Sequence, residues 1–229
     1  DCNAPVIYVN AAAQTPGDGS SWQTALIDLQ AAIDIATQRS PQVSPIWIAR
    51  GTYVPNRRID ESDARSATFL LIRGIDLYGG FTGNETQLGQ RDWQANPTNL
   101  SGDLLGDDAP GLVNRGDNAY HVLLKDSYEG SAFLDGLTIR GGQADGGSHG
   151  FGGGLRSDGV VVLRNCNFID NWSGIVRASS GDGTVAHSNG GGAVAAFSLG
   201  EMTDDTNDPT VVWRNCHFAN NATSGTGGA

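Results

Sequence analysis

Three stretches in the second half of the chain alternate apolar and polar residues and align without gaps. They are "LDGLTIRGG" (134–142), "LRNCNFIDN" (163–171) and "WRNCHFANN" (213–221). Leu137 and Ile139, Cys166 and Phe168, and Cys216 and Phe218 therefore fall on one face of a strand, as a side-chain period of two requires. One such segment cannot bury that face, but stacked copies share a continuous core, which predicts a solenoid. If these are coils of a parallel β-helix, equivalent residues lie about 4.8 Å apart. Phe168 then sits over Phe218, Cys166 over Cys216 and Asn171 over Asn221. An asparagine ladder suits a sharp bend, because Asn tolerates left-handed backbone and its amide bonds neighbours above and below.

The first half carries a different signal. "VIYVN" (6–10) reads as a strand and "PIWIARGTYVP" (45–55) as a strand and turn. Between them Trp22, Ala25, Leu26, Leu29, Ala32, Ile33 and Ala36 recur at helical spacing, which predicts an amphipathic helix over 22–36 capped by Ser20 or Ser21. No later segment matches it as a helix. "TFLLIRGIDLYGGF" (68–81), "TNLSGDL" (98–104), "YHVLLKD" (120–126) and "AFLDGLTIRGG" (132–142) all suit strands. The expected organisation is a single β-helix domain over 1–229. Residues 1–55 supply the first strand, cap helix and first coil; 56–229 supply further coils. The acidic stretch 199–209 ("LGEMTDDTNDP") interrupts the third aligned coil and is expected to leave the stack as a polar loop.

Composition narrows the partners. The 33 glycines among 229 residues cluster without a collagen period, which fits a turn-dense β architecture. A net charge of −11, from 25 acidic and 14 basic side chains, disfavours nucleic acid and anionic membranes, since both require a cationic face. No apolar run reaches the roughly 20 residues of a membrane helix, so direct insertion is not expected. The charge suits an extracellular protein or one that holds divalent cations, and "DCNAPVIYVN" reads as a mature start left by cleavage.

"FIDN" (168–171), "FANN" (218–221), "GGGL" (152–155) and "GGAV" (191–194) resemble the FxxN and GGA[ILV] repeats of polymorphic outer-membrane-type surface proteins. "IYVN", "DGSSWQTALIDLQAAIDIA", "IWIARGTYVP", "RDW", "LSGDL", "YHVL" and "LDGLTIRGG" resemble the opening of secreted bacterial β-helix proteins of the pectin-lyase-like fold. The resemblance covers nearly the whole chain. It implies an all-β, right-handed parallel β-helix (solenoid) with an N-terminal amphipathic capping α-helix, and a secreted or cell-surface location. It implies no single activity, because the fold hosts lyases, hydrolases, adhesins and passive stalks.

Candidate chemistry is sparse. A lyase of this fold needs an acidic Ca²⁺ cluster and a base. Asp103, Asp107 and Asp108 form the best local cluster, with Arg115 or Arg140 as base. The competing and preferred reading is that aspartates beside glycine shape turns. Ca²⁺ there is the one cofactor considered. Asp135 and Asp170 lie in the right region for an inverting carboxylate pair but at non-equivalent repeat positions. Glu201, Asp204, Asp205 and Asp208 read as a solvated loop rather than a calcium loop. His121, His149, His187 and His217 lack zinc spacing, and alternation sends Cys216 and His217 to opposite faces. Cys166 and Cys216 fall within disulfide reach, but parallel stacking gives poor dihedral geometry, so buried thiols are favoured and Cys2 remains the odd one. Trp93, Trp172 and Tyr128 are aromatics that could stack on sugars. Among the Asn-x-Ser/Thr sequons at Asn84, Asn99, Asn171 and Asn221, Asn84 is the most plausible exposed glycosylation site.

The expected function is a non-catalytic structural protein that self-associates head to tail through its C-terminal coil, or a module of a larger surface adhesin. Val211, Val212, Trp213 and Cys2 are the expected intersubunit residues. The closing "GGA" breaks off inside a repeat, where further coils or a neighbouring molecule would follow. The alternative is a polysaccharide lyase, hydrolase or glycan-binding module.

Overall fold

A computed structural model describes residues 4–39, 44–127, 129–145, 150–174, 184–185, 192–197 and 211–223. They are mostly strands with one α-helix, so the class is all-β. The helix α1 spans Leu29–Gln38. In chain order the strands begin with β1 (Ile7–Val9), β2 (Pro45–Ala49), β3 (Gly51–Tyr53), β4 (Arg57–Arg58), β5 (Ala67–Leu71), β6 (Ile75–Phe81) and β7 (Thr98–Ser101). Next come β8 (Leu123–Lys125), β9 (Ala132–Asp135), β10 (Leu137–Arg140), β11 (Gln143–Ala144), β12 (Leu155–Ser157), β13 (Val161–Arg164) and β14 (Asn167–Ile169). The last are β15 (Trp172–Ser173), β16 (Thr184–Val185), β17 (Val194–Phe197), β18 (Val211–Arg214), β19 (His217–Ala219) and β20 (Ala222–Thr223).

Four sheets form, ordered β1-β2-β6-β9-β13-β18, β19-β14-β10-β7-β3, β11-β15-β20 and β16-β17-β12-β8-β5-β4. From β9 onward the chain visits them in a fixed rotation and then returns to the first. Among the described residues every strand pairing is parallel except β4 with β5 and β16 with β17. The gapless alignment of the three repeats is also their register. Leu134 pairs with Leu163 and Leu163 with Trp213, while Ile139 pairs with Phe168 and Phe168 with Phe218. The inward residues of successive strands make one core, including Leu77, Leu134, Leu163, Leu100, Ile139, Phe168 and Leu155. Each such side chain contributes about 1.5–3 kcal/mol by leaving water.

The bends between strands need left-handed backbone in the same place each time. Gly136, Asn165 and Asn215 have φ of 75°, 52° and 53°, and Gly141, Asp170 and Asn220 have 75°, 55° and 54°. Glycine, asparagine and aspartate are the residues that tolerate this region. Gly142 serves a second purpose: a Cβ there would lie 1.8 Å from the Gly153 carbonyl oxygen, so two turns of backbone meet where no side chain fits.

The helix starts later than its periodicity predicts. Asp28, not Ser20 or Ser21, is the cap, and its Oδ1 accepts the N–H of Gln30 at 2.7 Å. Trp22, Ala25 and Leu26 lie outside the helix because residues 19–26 are drawn onto the outer edge of β1. Tyr8 N–H donates to Gly19 O, Leu26 N–H to Tyr8 O, and Asn10 N–H to Leu26 O. Leu29, Ala32, Ile33 and Ala36 then face the core and pack against β1, β2 and β5. Beyond them, β4 pairs with Ala67 and Thr68 of β5. At the α1 end the outer edges of β1 and β5 are thus covered by the chain itself.

Candidate functional site

At the opposite end, β18, β19 and β20 are the terminal strands of their sheets. Positions that are sealed one layer earlier are open here. Leu163 is 0% exposed and its partner Trp213 is 36% exposed; Cys166 and Phe168 are buried, whereas Cys216 and Phe218 are half-buried. Val211 is half-buried and Val212 exposed. Phe168 and Phe218 stack with centroids 5.3 Å apart and planes 12° apart. The stacking expected of the aromatic, thiol and asparagine positions is therefore present, and the outer member of each is exposed in part. Residues 199–209, Cys2 and the final "GGA" lie outside the described residues.

Two asparagine ladders run through the bends. Asn171 Oδ1 accepts the N–H of Gly142 and its Nδ2 donates to the Ile139 carbonyl, both at 3.0 Å. Asn221 repeats this one layer on: Oδ1 accepts the N–H of Asn171 at 3.0 Å and Nδ2 donates to Phe168 O at 2.7 Å. A second ladder, at a position where the last two repeats carry asparagine and the first carries Gly136, joins Asn165 to Asn215. Asn165 Nδ2 donates to Asp135 Oδ1 at 2.8 Å and Asn215 Nδ2 to Asn165 Oδ1 at 2.6 Å.

The two stacked cysteines are free thiols. Cys166 Sγ lies 3.2 Å from Arg164 O, and burial pushes its ionisation well above the ordinary thiol range. The Cys166 thiol beside Cys216, with nearby backbone groups, holds Cys216 down at about 7 despite its partial burial. Cys216 therefore ionises first.

The acidic loop rearranges the expected cluster. Ligand oxygens of Asp103, Asp107 and Asp117 come within 4.8 Å of one another. Asp108 departs from that set: its Oδ2 accepts Asn118 Nδ2 at 3.0 Å and lies 3.7 Å from Arg115 Nε. Asp117 takes its place, brought back by a loop too long to read from spacing. Asp103 also shapes the loop, with Oδ1 accepting the N–H of Gly106 and Asp107 and Oδ2 that of Asp108. This is the turn-forming role; three carboxylates of this arrangement could also hold a divalent cation. Arg115 is buried and donates to Asp170 O at 2.6 Å, and Arg140 lies 4.0 Å from Asp170. Both arginines line a groove of about 620 Å³ with Asp108 and Asp170.

Asp135 and Asp170 do not meet as a catalytic pair. Asp135 is buried against Arg91, 2.9 Å from its Nη2, and lines a separate depression of about 360 Å³ with Tyr78, Trp93, Phe133 and Arg164. Arg91 lies over the Trp93 and Tyr78 rings at 5.4 and 5.6 Å. Trp172 instead sits in β15, half-buried, and Tyr128 is outside the described residues, as are His149 and His187. His121 is buried with Nδ1 3.1 Å from Gly152 O, while His217 is exposed. Asn84 is exposed; Asn171 is buried inside its ladder, where no glycan could be attached to the folded chain.

Comparison with protein-family models, curated proteins and solved structures found no match to this chain. Among the described residues, no helix is long and apolar enough to cross a membrane.

Proposed function

We propose that this chain forms the closed end of a right-handed parallel β-helix and acts as a non-catalytic, extracellular or cell-surface structural element. Its β18–β20 end receives further β-structure, so the molecule self-associates or continues into a larger adhesin-like rod. One observation carries this reading: the two ends differ in kind. At the α1 end, the outer edges of β1 and β5 are hydrogen-bonded by residues of the same chain. At the other end, the edge strands β18 and β19 present partly exposed apolar residues, Val211, Trp213 and Phe218, at positions that are buried in the preceding layer. An edge of that kind is a template for strand pairing.

The joint proposed here differs from a simple head-to-tail contact through residues 1–10. Residues 19–26 already occupy the outer edge of β1, so a neighbour would have to displace them. The resemblance of the FxxN and GGA[ILV] segments to the repeats of polymorphic outer-membrane-type surface proteins supports the surface location. Light scattering and electron microscopy of the purified chain test the assembly. Concentration-dependent oligomers or filaments are expected, and a strict monomer at high concentration would remove the self-associating form.

The aromatic depression around Tyr78, Trp93 and Phe133 favours a second reading, glycan binding. Partly exposed rings beside guanidinium groups suit the apolar faces and hydroxyls of a sugar. Turnover on uronic-acid polysaccharides, with and without Ca²⁺, separates an enzyme from a binding module. The structural reading expects neither unsaturated products nor new reducing ends.

A further inference from the structure

In the Asn171 ladder each asparagine completes the layer before its own. Asn171 satisfies the Gly142 N–H and the Ile139 carbonyl, and Asn221 satisfies the Asn171 N–H and the Phe168 carbonyl. Ile139, Phe168 and Phe218 are successive register partners. Applied once more, the same rule requires an amide that accepts from Asn221 N–H and donates to Phe218 O. Among the described residues none does so.

The neighbouring bend has the same polarity. Gly136 N–H donates to Arg164 O at 3.0 Å and Asn165 N–H to Arg214 O at 3.1 Å. Asn215 N–H is the next donor in that series, and Asn215 Oδ1 the next acceptor of the second ladder. The edge thus presents a patterned set of donors and acceptors, with Cys216 and Phe218 half-open between the two bends. A strand of arbitrary sequence could pair its backbone with β18 and β19, but it would leave the bend at Asn221 unfilled.

We infer that the β18–β20 end selects its neighbour through an amide side chain: the covering segment belongs to the same repeat class, with asparagine opposite Asn221 and apolar residues opposite Cys216 and Phe218. This rests on the reading of that end as a receiving edge, and it adds the identity of what is received. The recognition is a form of β-augmentation in which backbone pairing supplies affinity and one buried polar position supplies selectivity.

The test uses the full chain and a synthetic peptide with the sequence of residues 161–173, VVLRNCNFIDNWS, under reducing conditions. The same peptide with Asn171→Ala, and with Asn171→Asp, provides the comparison; the variants are in the peptide, so folding of the protein is not at stake. Fluorescence anisotropy reads affinity, and amide exchange reads protection at Asn221. The parent peptide is expected to bind and to protect the Asn221 amide. Loss of a bidentate amide contact is expected to weaken binding about tenfold for the alanine peptide. The aspartate peptide keeps the acceptor but not the donor and should fall between them. Equal affinities, binding without Asn221 protection, or no binding by any peptide would each overturn the inference. Light scattering of the same protein keeps the two readings apart. Self-association with indifference to the peptides leaves the assembly and removes the selectivity; a monomer that discriminates among them does the reverse.

Discussion

Gln30 holds the outer edge of β5 with both halves of its amide: Oε1 accepts the N–H of Leu70 at 2.9 Å, and Nε2 donates to the Leu70 carbonyl at 3.4 Å. A helix side chain thereby does what a neighbouring strand would do, and it does so at a buried position, since Gln30 is 3% exposed. Gln30→Ala should cost about 1–3 kcal/mol, the range for leaving buried backbone groups unpaired. Urea denaturation measures it, and an unchanged midpoint would show that the α1 end is not sealed by this contact. Gln30→Glu, which would bury a carboxylate beside Asp34 Oδ1, the present partner of Gln30 Nε2 at 2.9 Å, should cost at least as much.

The contrast between Phe168 and Phe218 gives a test of how open the far end is. Phe168→Ala empties a fully buried position and should cost about 3–5 kcal/mol. Phe218→Ala should cost less in the isolated chain, because its ring is already partly in water. Equal costs would mean that something covers Phe218 in solution. In an assembled form the two values should converge.

The thiol pair predicts a pH signature. Cys216 should alkylate with a midpoint near its ionisation at about 7, with Cys166 protected by burial, and Cys166→Ala should move that midpoint up. A folded-state value below the unfolded one stabilises the fold above it, and that contribution is lost as pH falls through about 7. For Cys166 the shift is upward, so its contribution is present at low pH and declines as pH rises past the ordinary thiol range. From this pair alone, stability should peak between those limits. Denaturation across that range, repeated with Cys216→Ser, should show the low-pH limb disappear.

At Gly142 the expectation is steric. Gly142→Ala places a methyl group 1.8 Å from the Gly153 carbonyl oxygen, a backbone atom that cannot swing aside. The cost should reach or exceed the roughly 1–3 kcal/mol of core overpacking. Circular dichroism and thermal melting read it, and a variant with an unchanged melting temperature would show that the two bends do not meet.

The repeat register was legible because it depends only on local alternation and on equal spacing between aligned residues. Phe168 over Phe218 and Asn171 over Asn221 follow from that alone. The helix start was not, because Trp22, Ala25 and Leu26 keep helical spacing while a long-range contact with β1 draws residues 19–26 into extended structure. A helical spacing that begins at Trp22 points to Ser20 or Ser21 as the cap, so Asp28 falls inside the expected helix rather than at its start. Asp117 and the diversion of Asp108 depend on loop closure around Arg115 and Asn118, which spacing does not reveal. The pairing of Gln30 with Leu70 joins residues on either side of three intervening strands, and no pattern in the chain announces it.

Asn171 finishes the bend around Gly142, and Asn221 finishes the bend around Asn171. At both bends completion comes from the later residue to the earlier one. For a polypeptide made from its N-terminus, this orders those two events in time: the amide that shuts the Gly142 bend is synthesised with the next repeat, and the one that shuts the Asn171 bend with the repeat after that.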